Sequence, residues 1–396
     1  MDVEMFQKGA PGILVPISGL DQRHGEWTHS AFVPDPLGSV SPSLTNKTYI
    51  EVANARARLA ALNSTSARLP NPGLFRMPTL RREAQSTSAL EGTYAPLSDV
   101  LIASQRSVNS PEVKEVLNYV EMANVGFAYA VQGRPLSVHL LRELQQILMS
   151  GTPEESNSGK LRDTQVVIGR HSDVGDVGFP VHSARFVPPP PGLDLENRVR
   201  DLMDWIVADH SDEIDPVVAL AMVHYQFETL HPFTDGNGRL GRYLIVLHLL
   251  RTGILSEPTL SVSPWFEARR AEYFDKLLAV STTGDWDSYI RFFAAGLGES
   301  ARQTELKMVA LAQAQDEMHE TLRRSQIRAD TAHALIDFAI ANTVFSVADV
   351  QEAIGLSYPR SNALIGQLVD LDLLAVVGAN DYKRRFYAPK VIQNLL

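Results

Sequence analysis

Two helix-periodic stretches separated by a short, glycine-rich polar segment constrain this chain most. Pro216 to Leu230 places apolar residues at Val217, Leu220, Ala221, Val223 and Phe227, and Arg239 to Arg251 does the same with Leu240, Tyr243, Leu244, Leu247 and Leu250. Gly253 stands where the second helix should stop. Between and into them runs His231-Pro-Phe-Thr-Asp-Gly-Asn-Gly-Arg-Leu-Gly-Arg242, so this dodecapeptide reads as a helix end, a tight loop and the first turn of a second helix.

A first helical turn carries backbone N–H groups without intrahelical partners and the positive end of the helix dipole, which together favour an anion. Gly236 and Gly238 leave the approach unobstructed, and Asn237 lies between them. Arg239 and Arg242, three apart, can grip different phosphates of one chain. Asp235 suits the magnesium ion that accompanies a triphosphate, and His231 suits removal of a proton from an attacking hydroxyl. Taken singly, a Gly-Asn-Gly turn also serves to join helices, and a lone histidine or arginine is more often structural.

Together the residues fit the pattern His-x-Phe-x-Asp/Glu-Gly-Asn-Gly-Arg-x-x-Arg, and the chain resembles Fic-domain proteins. The resemblance implies a protein adenylyltransferase that moves AMP from ATP to a Tyr, Thr or Ser hydroxyl. It also implies His231 as base, Asp235 as the Mg2+ ligand, and Gly236, Asn237 and Gly238 as the anion cradle. Arg239 and Arg242 would lie on the phosphates and Phe233 would anchor the loop. Relatives that act as kinases carry lysine where this chain has Gly238.

A second resemblance lies upstream, at the end of a short helix expected over Leu80 to Leu90. Thr87-Ser-Ala-Leu-Glu91-Gly92 is similar to the inhibitory motif of many Fic proteins, and implies that Glu91 pairs with Arg242 and denies it to the γ-phosphate. An Arg–carboxylate fork of this kind is worth ~1.5–3 kcal/mol. Glu-Gly is equally a plain helix stop.

Residues 1 to 47, rich in Pro, Gly and Ser, read as an extended arm, followed by a helix over Tyr49 to Leu62 that Asn63-Ser-Thr-Ser should end. Pro111 to Gln132 and Ser137 to Leu148 read as core helices, the second capped by Ser137. Thr164 to Gly169, including Val166, Val167 and Ile168, then a glycine-rich loop from His171 to Phe179, then Ala184 to Val187, read as strand, loop, strand. This stretch resembles the Fic flap that aligns a target, although the family often has an aromatic residue where Leu161 stands. Pro188 to Pro191 read as a strand stop or as an SH3-type ligand.

Helices are expected from Val199 onward, with Trp265 to Leu278 and Trp286 to Leu297 in the core and a polar connector from Glu299 to Arg328. His224 and His248 fall in no metal-ligand spacing. Val347 to Ile354, Gly355 and Tyr358 to Leu371 read as helix, turn, helix. Leu374 to Val377 and Arg385 to Ala388 would be wings around Asn380, and the whole resembles a winged helix-turn-helix. From 328 to 396 there are six Lys and Arg against seven acids, which favours protein contact over DNA, with Lys383 to Arg385 keeping DNA as an alternative.

The expected fold is thus mainly α: a Fic-type helical core with a short β-hairpin flap and a C-terminal winged helix-turn-helix domain. The expected division is 1–110 (arm and inhibitory helix), 111–298 (catalytic core), 299–328 (connector) and 329–396 (winged helix). ATP and a hydroxyl-bearing protein target are the expected partners, with self-modification and a homodimer left open. The alternatives are removal of AMP with Glu91 placing or activating water, and a DNA-binding regulator whose core senses ATP. A net charge of -10 argues against broad coating of nucleic acid or anionic membrane, and the chain has no cysteine for disulfide or thiolate chemistry. An acidic start and the absence of a long apolar run point to the cytoplasm and away from membranes.

Overall fold

A computed structural model describes residues 1–21, 25–69, 72–103, 110–170, 180–327, 330–377 and 384–395. In chain order the elements begin with strands β1 (Gly12–Asp21) and β2 (Gly25–Pro34), then helices α1 (Asn46–Arg68), α2 (Arg76–Leu90), α3 (Leu97–Ile102), α4 (Pro111–Val131) and α5 (Val138–Leu148). There follow β3 (Ile168–Arg170), α6 (Pro180–Ser183), β4 (Ala184–Phe186), α7 (Leu193–Val207), α8 (Pro216–Leu230) and α9 (Asn237–Arg251). The remainder is α10 (Ser263–Glu267), α11 (Arg270–Thr283), α12 (Trp286–Arg324), α13 (Asp330–Ala341), β5 (Val344–Ser346), α14 (Val347–Ile354), α15 (Tyr358–Asp370), β6 (Ala375–Val377), β7 (Arg385–Tyr387) and α16 (Pro389–Leu395). The chain is mainly helical, and no helix among the described residues is long and apolar enough to cross a membrane.

Two compact units result, each from discontinuous stretches. The first comprises Met1–Ala57, Glu121–Arg251 and Trp265–Gly298, and within it α8 is buried along nearly its whole length. Asp215 caps α8 by accepting the Val217 N–H at 2.8 Å, and Pro216 pre-sets the first turn. Tyr289 Oη donates to the Ala221 carbonyl at 3.0 Å, and the Tyr225 ring meets Trp286 edge-on at 4.7 Å. His224 is buried, with Nε2 2.8 Å from Tyr273 Oη, so it is a satisfied core histidine.

Residues 1 to 47 are not simply an extended arm. β1 and β2 form a ten-residue antiparallel ladder from Gly12↔Pro34 to Asp21↔Gly25. The inner end of β2 is buried, and Phe32 packs with Phe186 and Val187 beside Leu14, Val15, Ile17 and Ile168. The Phe32 N–H donates to the Val187 carbonyl at 2.9 Å, joining this hairpin to the segment after β4.

The second unit comprises Arg58–Val120, Thr252–Pro264 and Glu299–Leu396. Here Asn63-Ser-Thr-Ser does not end a helix, because Asn63 and Thr65 find tertiary partners. Asn63 Oδ1 accepts from Ser256 N and Oγ, both at 2.8 Å, and Thr65 Oγ1 donates to Glu305 at 2.8 Å, so α1 runs on to Arg68. Glu83 of α2, buried, accepts from Ser261 Oγ at 2.9 Å and from Ser263 N at 2.9 Å.

Toward the C-terminus, Ser346 and Asp349 form a reciprocal capping box on α14, Gly355 takes the left-handed conformation (φ 75°), and α15 follows. A three-stranded antiparallel sheet in the order β5-β7-β6 accompanies this helix, turn, helix. Neither β5 nor α13 was expected. The turn at Asn380 and Lys383 lie outside the described residues.

Two further boundaries differ from expectation. Trp265 to Leu278 is divided into α10 and α11 at Arg269, whose guanidinium lies over the Trp265 ring at 4.4 Å. Conversely, Trp286 to Arg324 is one continuous helix through the expected boundary at 298/299.

Candidate active site

The site is built where α8 ends. Pro232 has no N–H to continue the helix, and it disfavours helical backbone at the residue before it. His231 closes α8 in the left-handed region (φ 48°, ψ 61°), donating its N–H to the Phe227 carbonyl at 3.1 Å. For a non-glycine residue this backbone is costly and needs support from its surroundings.

His231 Nδ1 lies 3.2 Å from the Glu228 carbonyl. A carbonyl can only accept, so Nδ1 carries the proton and the imidazole lone pair is on Nε2. That tautomer is the one a general base requires.

The loop after His231 is held from inside. Phe233 is fully buried. Asn237 Oδ1 accepts from the Phe233 N–H at 2.9 Å, while Asn237 Nδ2 donates to the Phe233 carbonyl at 2.8 Å. Asn237 was expected among the anion-binding residues; its side-chain oxygen and one of its two amide N–H donors are engaged by Phe233. Gly236 has φ 82°, and a Cβ there would sit 3.0 Å from Leu148 and 3.2 Å from the Met149 sulfur, so a side chain is opposed by both conformation and space.

At the first turn of α9, Asp235 Oδ1 accepts the Gly236 N–H at 2.5 Å, and Arg239 Nη2 lies 3.3 Å from Asp235 Oδ2. Arg239 is 2 % exposed and Asp235 46 % exposed on their side chains, so the carboxylate is fixed on the inside and open on the outside. A single oriented carboxylate fits Mg2+, which needs one or two carboxylates and takes its other ligands from phosphate and water. Among the described residues no group of three or more His, Asp or Glu side chains could hold a metal alone.

Arg242 is fully buried. Burial, and after it the positive charge of Arg242, push the His224 imidazole down to about 3, opposed by a backbone hydrogen bond at Gly241. His224 is therefore neutral beside that guanidinium. Gly241 allows the close approach of α9 to α8: a Cβ there would lie 3.0 Å from the Phe227 ring.

Two residues escaped sequence reasoning. Gln145, buried on α5, donates to the Asp235 carbonyl at 3.1 Å and accepts the Gly159 N–H at 2.5 Å. Arg162, also buried, donates to the His231 carbonyl at 2.8 Å. Their partners are backbone groups, which leave no signature in side-chain spacing.

The flap expectation needs correction. Only Ile168 of the three named positions lies in a strand, pairing with Phe186; Val166 and Val167 precede β3. Gln165 Nε2 donates to the Pro188 carbonyl at 3.0 Å in place of further ladder bonds. The loop from His171 to Phe179 lies outside the described residues. Pro188 and Pro189 are buried, which removes the SH3-ligand reading.

On α2, Thr87 is buried and Glu91 is the exposed C-cap, with Gly92 at φ 96°. The Thr93 N–H returns to the Ser88 carbonyl at 3.0 Å, so Glu91 also sits at an ordinary helix stop.

Sequence profiles described as "Fic/DOC family N-terminal" and "Fic/DOC family" match residues 49–128 and 135–249. These stretches carry Fic/DOC family domains. It is 32% identical over 159 residues to protein adenylyltransferase fic-1 of Caenorhabditis elegans, covering 39% of this chain and 26% of that protein. To protein adenylyltransferase Fic of Drosophila willistoni it is 29% identical over 209 residues, 53% of this chain and 37% of the relative. The chain thus spans between about a quarter and two fifths of these relatives. A crystal structure of a Fic family protein from Desulfovibrio desulfuricans G20 matches with a TM-score of 0.53 and 22% identity over 88% of this chain and 97% of that one, a likeness of fold.

Proposed function

We propose that this Fic/DOC protein is an adenylyltransferase that moves AMP from ATP to a Tyr, Thr or Ser hydroxyl of a protein. The observation that carries the reading is the His231 tautomer fixed by the Glu228 carbonyl at 3.2 Å, at the entrance to the loop that opens α9. The relatives named as protein adenylyltransferases agree with it.

In this reading Nε2 of His231 takes the hydroxyl proton while the oxygen attacks the α-phosphorus. The bond from that phosphorus to the bridging oxygen breaks, and pyrophosphate leaves with the electron pair. The first turn of α9 offers backbone N–H groups to the phosphates, and Arg239 and Arg242 add charge. Asp235 would hold Mg2+, which supplies neutralisation of charge on the leaving pyrophosphate. Preorganised donors and positioning account for the rate, as in phosphoryl transfer generally.

Glu91 is proposed to restrain the site through Arg242, on the strength of the Thr87 to Gly92 motif. The C-terminal helices and sheet are proposed to contact protein, since 328–396 carries a net charge of -1.

Incubating Glu91→Gly protein with ATP labelled at the α-phosphate tests the proposal. Label on the protein itself or on a lysate protein, with an added mass of one AMP, is expected. A folded, ATP-binding variant that labels nothing overturns the transfer reading. Removal of AMP from a modified protein, dependent on Glu91, would favour the reverse reaction instead.

A further inference from the structure

We propose that Arg162 is a positioning residue, which ties the carbonyl of the base His231 to the two segments that carry the flap and so sets where the imidazole points. This rests on His231 being the base, as proposed above.

Arg162 reaches three parts of the chain at once. Its Nε donates to the His231 carbonyl at 2.8 Å, Nη1 to the Thr164 carbonyl at 3.2 Å, and Nη2 to the Pro189 carbonyl and, at 3.5 Å, to the Leu230 carbonyl. Its own N–H donates to the Pro232 carbonyl at 2.9 Å. Leu230 and His231 close α8, Thr164 precedes β3, and Pro189 follows β4.

Every acceptor is a backbone carbonyl. Those of Leu230 and His231 belong to the last turn of α8, where carbonyls lack intrahelical partners and the dipole is negative. Arg162 is 4 % exposed, and burial lowers its pKa to about 10, which still leaves it charged at neutral pH. A buried cation here is compensated by oriented dipoles.

The consequence for His231 follows from its backbone. A left-handed histidine before a proline is held only if the peptides around it are held. Arg162 fixes the carbonyl on one side of His231 Cα, and the Phe227 carbonyl fixes the N–H on the other. With both peptides fixed, Nδ1 meets the Glu228 carbonyl. Without the guanidinium the peptide between His231 and Pro232 can rotate, and the imidazole moves with it. Lysine cannot replace it, because one ammonium does not reach acceptors in three directions.

The experiment uses full-length protein carrying Arg162→Lys or Arg162→Gln, each in the Glu91→Gly background, with three readouts. ATP binding by calorimetry should stay within about threefold, while kcat for label transfer falls by about 100-fold with little change in KM for ATP. Histidine 15N spectra should show His231 losing its fixed Nδ1–H tautomer and its titration shifting, with Arg162→Lys giving no more than partial rescue. Unchanged kcat in a folded variant overturns the assignment, as does parallel loss of kcat and ATP affinity. If the parent protein transfers no AMP, the functional reading fails separately; the spectra then decide, and wild-type His231 shifts and titration in Arg162→Lys overturn the positioning role. Loss of the cooperative melting transition in both variants would also overturn it, since Arg162 would then serve folding as a whole.

Discussion

Asn237 returns both polar atoms of its side chain to one residue, accepting the Phe233 N–H at 2.9 Å and donating to the Phe233 carbonyl at 2.8 Å. The two bonds close the turn from which α9 starts. Asn237→Ala removes both and leaves two buried backbone groups unmet, so stability should fall by roughly 2–4 kcal/mol. Asn237→Asp keeps the acceptor and loses the donor, and should lie between. Chemical denaturation of both variants checks this; an Asn237→Ala protein as stable as the parent would refute the staple.

His231→Ala should abolish AMP transfer while leaving ATP binding nearly unchanged. The imidazole Nδ1 meets the Glu228 carbonyl at 3.2 Å, and the loss of a general base typically costs 10²–10⁴-fold. Transfer measured beside calorimetric ATP affinity separates the two. Full activity in this variant would exclude His231 as the base.

The loop between α8 and α9 was legible because helix periodicity, Pro216 and the polar residues of 231–242 all state their roles locally. The N-terminal hairpin was not: Pro16 and the glycines at 12, 19 and 25 interrupt the alternation, and Phe32 is buried by Phe186 and Val187 from a distant part of the chain. The boundary expected at 298/299 falls beside Gly296 and Gly298. In the fold they allow close packing, with a Cβ at Gly296 falling 2.6 Å from Trp265 and one at Gly298 3.2 Å from Ala55. Arg162 shows the general limit. An arginine whose acceptors are backbone carbonyls has no partner residue type to find.

Gly126 packs α4 against α9. A Cβ there would lie 2.1 Å from Tyr243 Oη and 3.2 Å from Leu144 Cδ2, so Gly126→Ala should force Tyr243 outward and cost about 1–3 kcal/mol. Tyr243→Phe removes the clashing oxygen. The double variant should therefore be more stable than the two single effects sum to, and a double-variant cycle without such coupling would show that the tyrosine is not what Gly126 accommodates.

Acid sensitivity should be set in part by His224. Burial first, and the Arg242 charge second, lower its pKa from 6.5 in the unfolded chain to about 3 in the fold. A depressed folded value means that the unfolded chain binds the proton first. Stability from keeping His224 neutral is therefore complete above about pH 6.5 and is lost as pH falls toward about 3. At pH 5 the loss from this group amounts to about 2 kcal/mol. His248, lowered by burial to about 4, adds a loss of the same sign. His224→Phe should lower stability at pH 7.5, because Tyr273 loses its partner at 2.8 Å, yet flatten the fall between pH 7.5 and pH 5 by about 2 kcal/mol. Denaturation curves at the two pH values give that difference directly, and a fall as steep in His224→Phe as in the parent would remove His224 from the account of acid sensitivity.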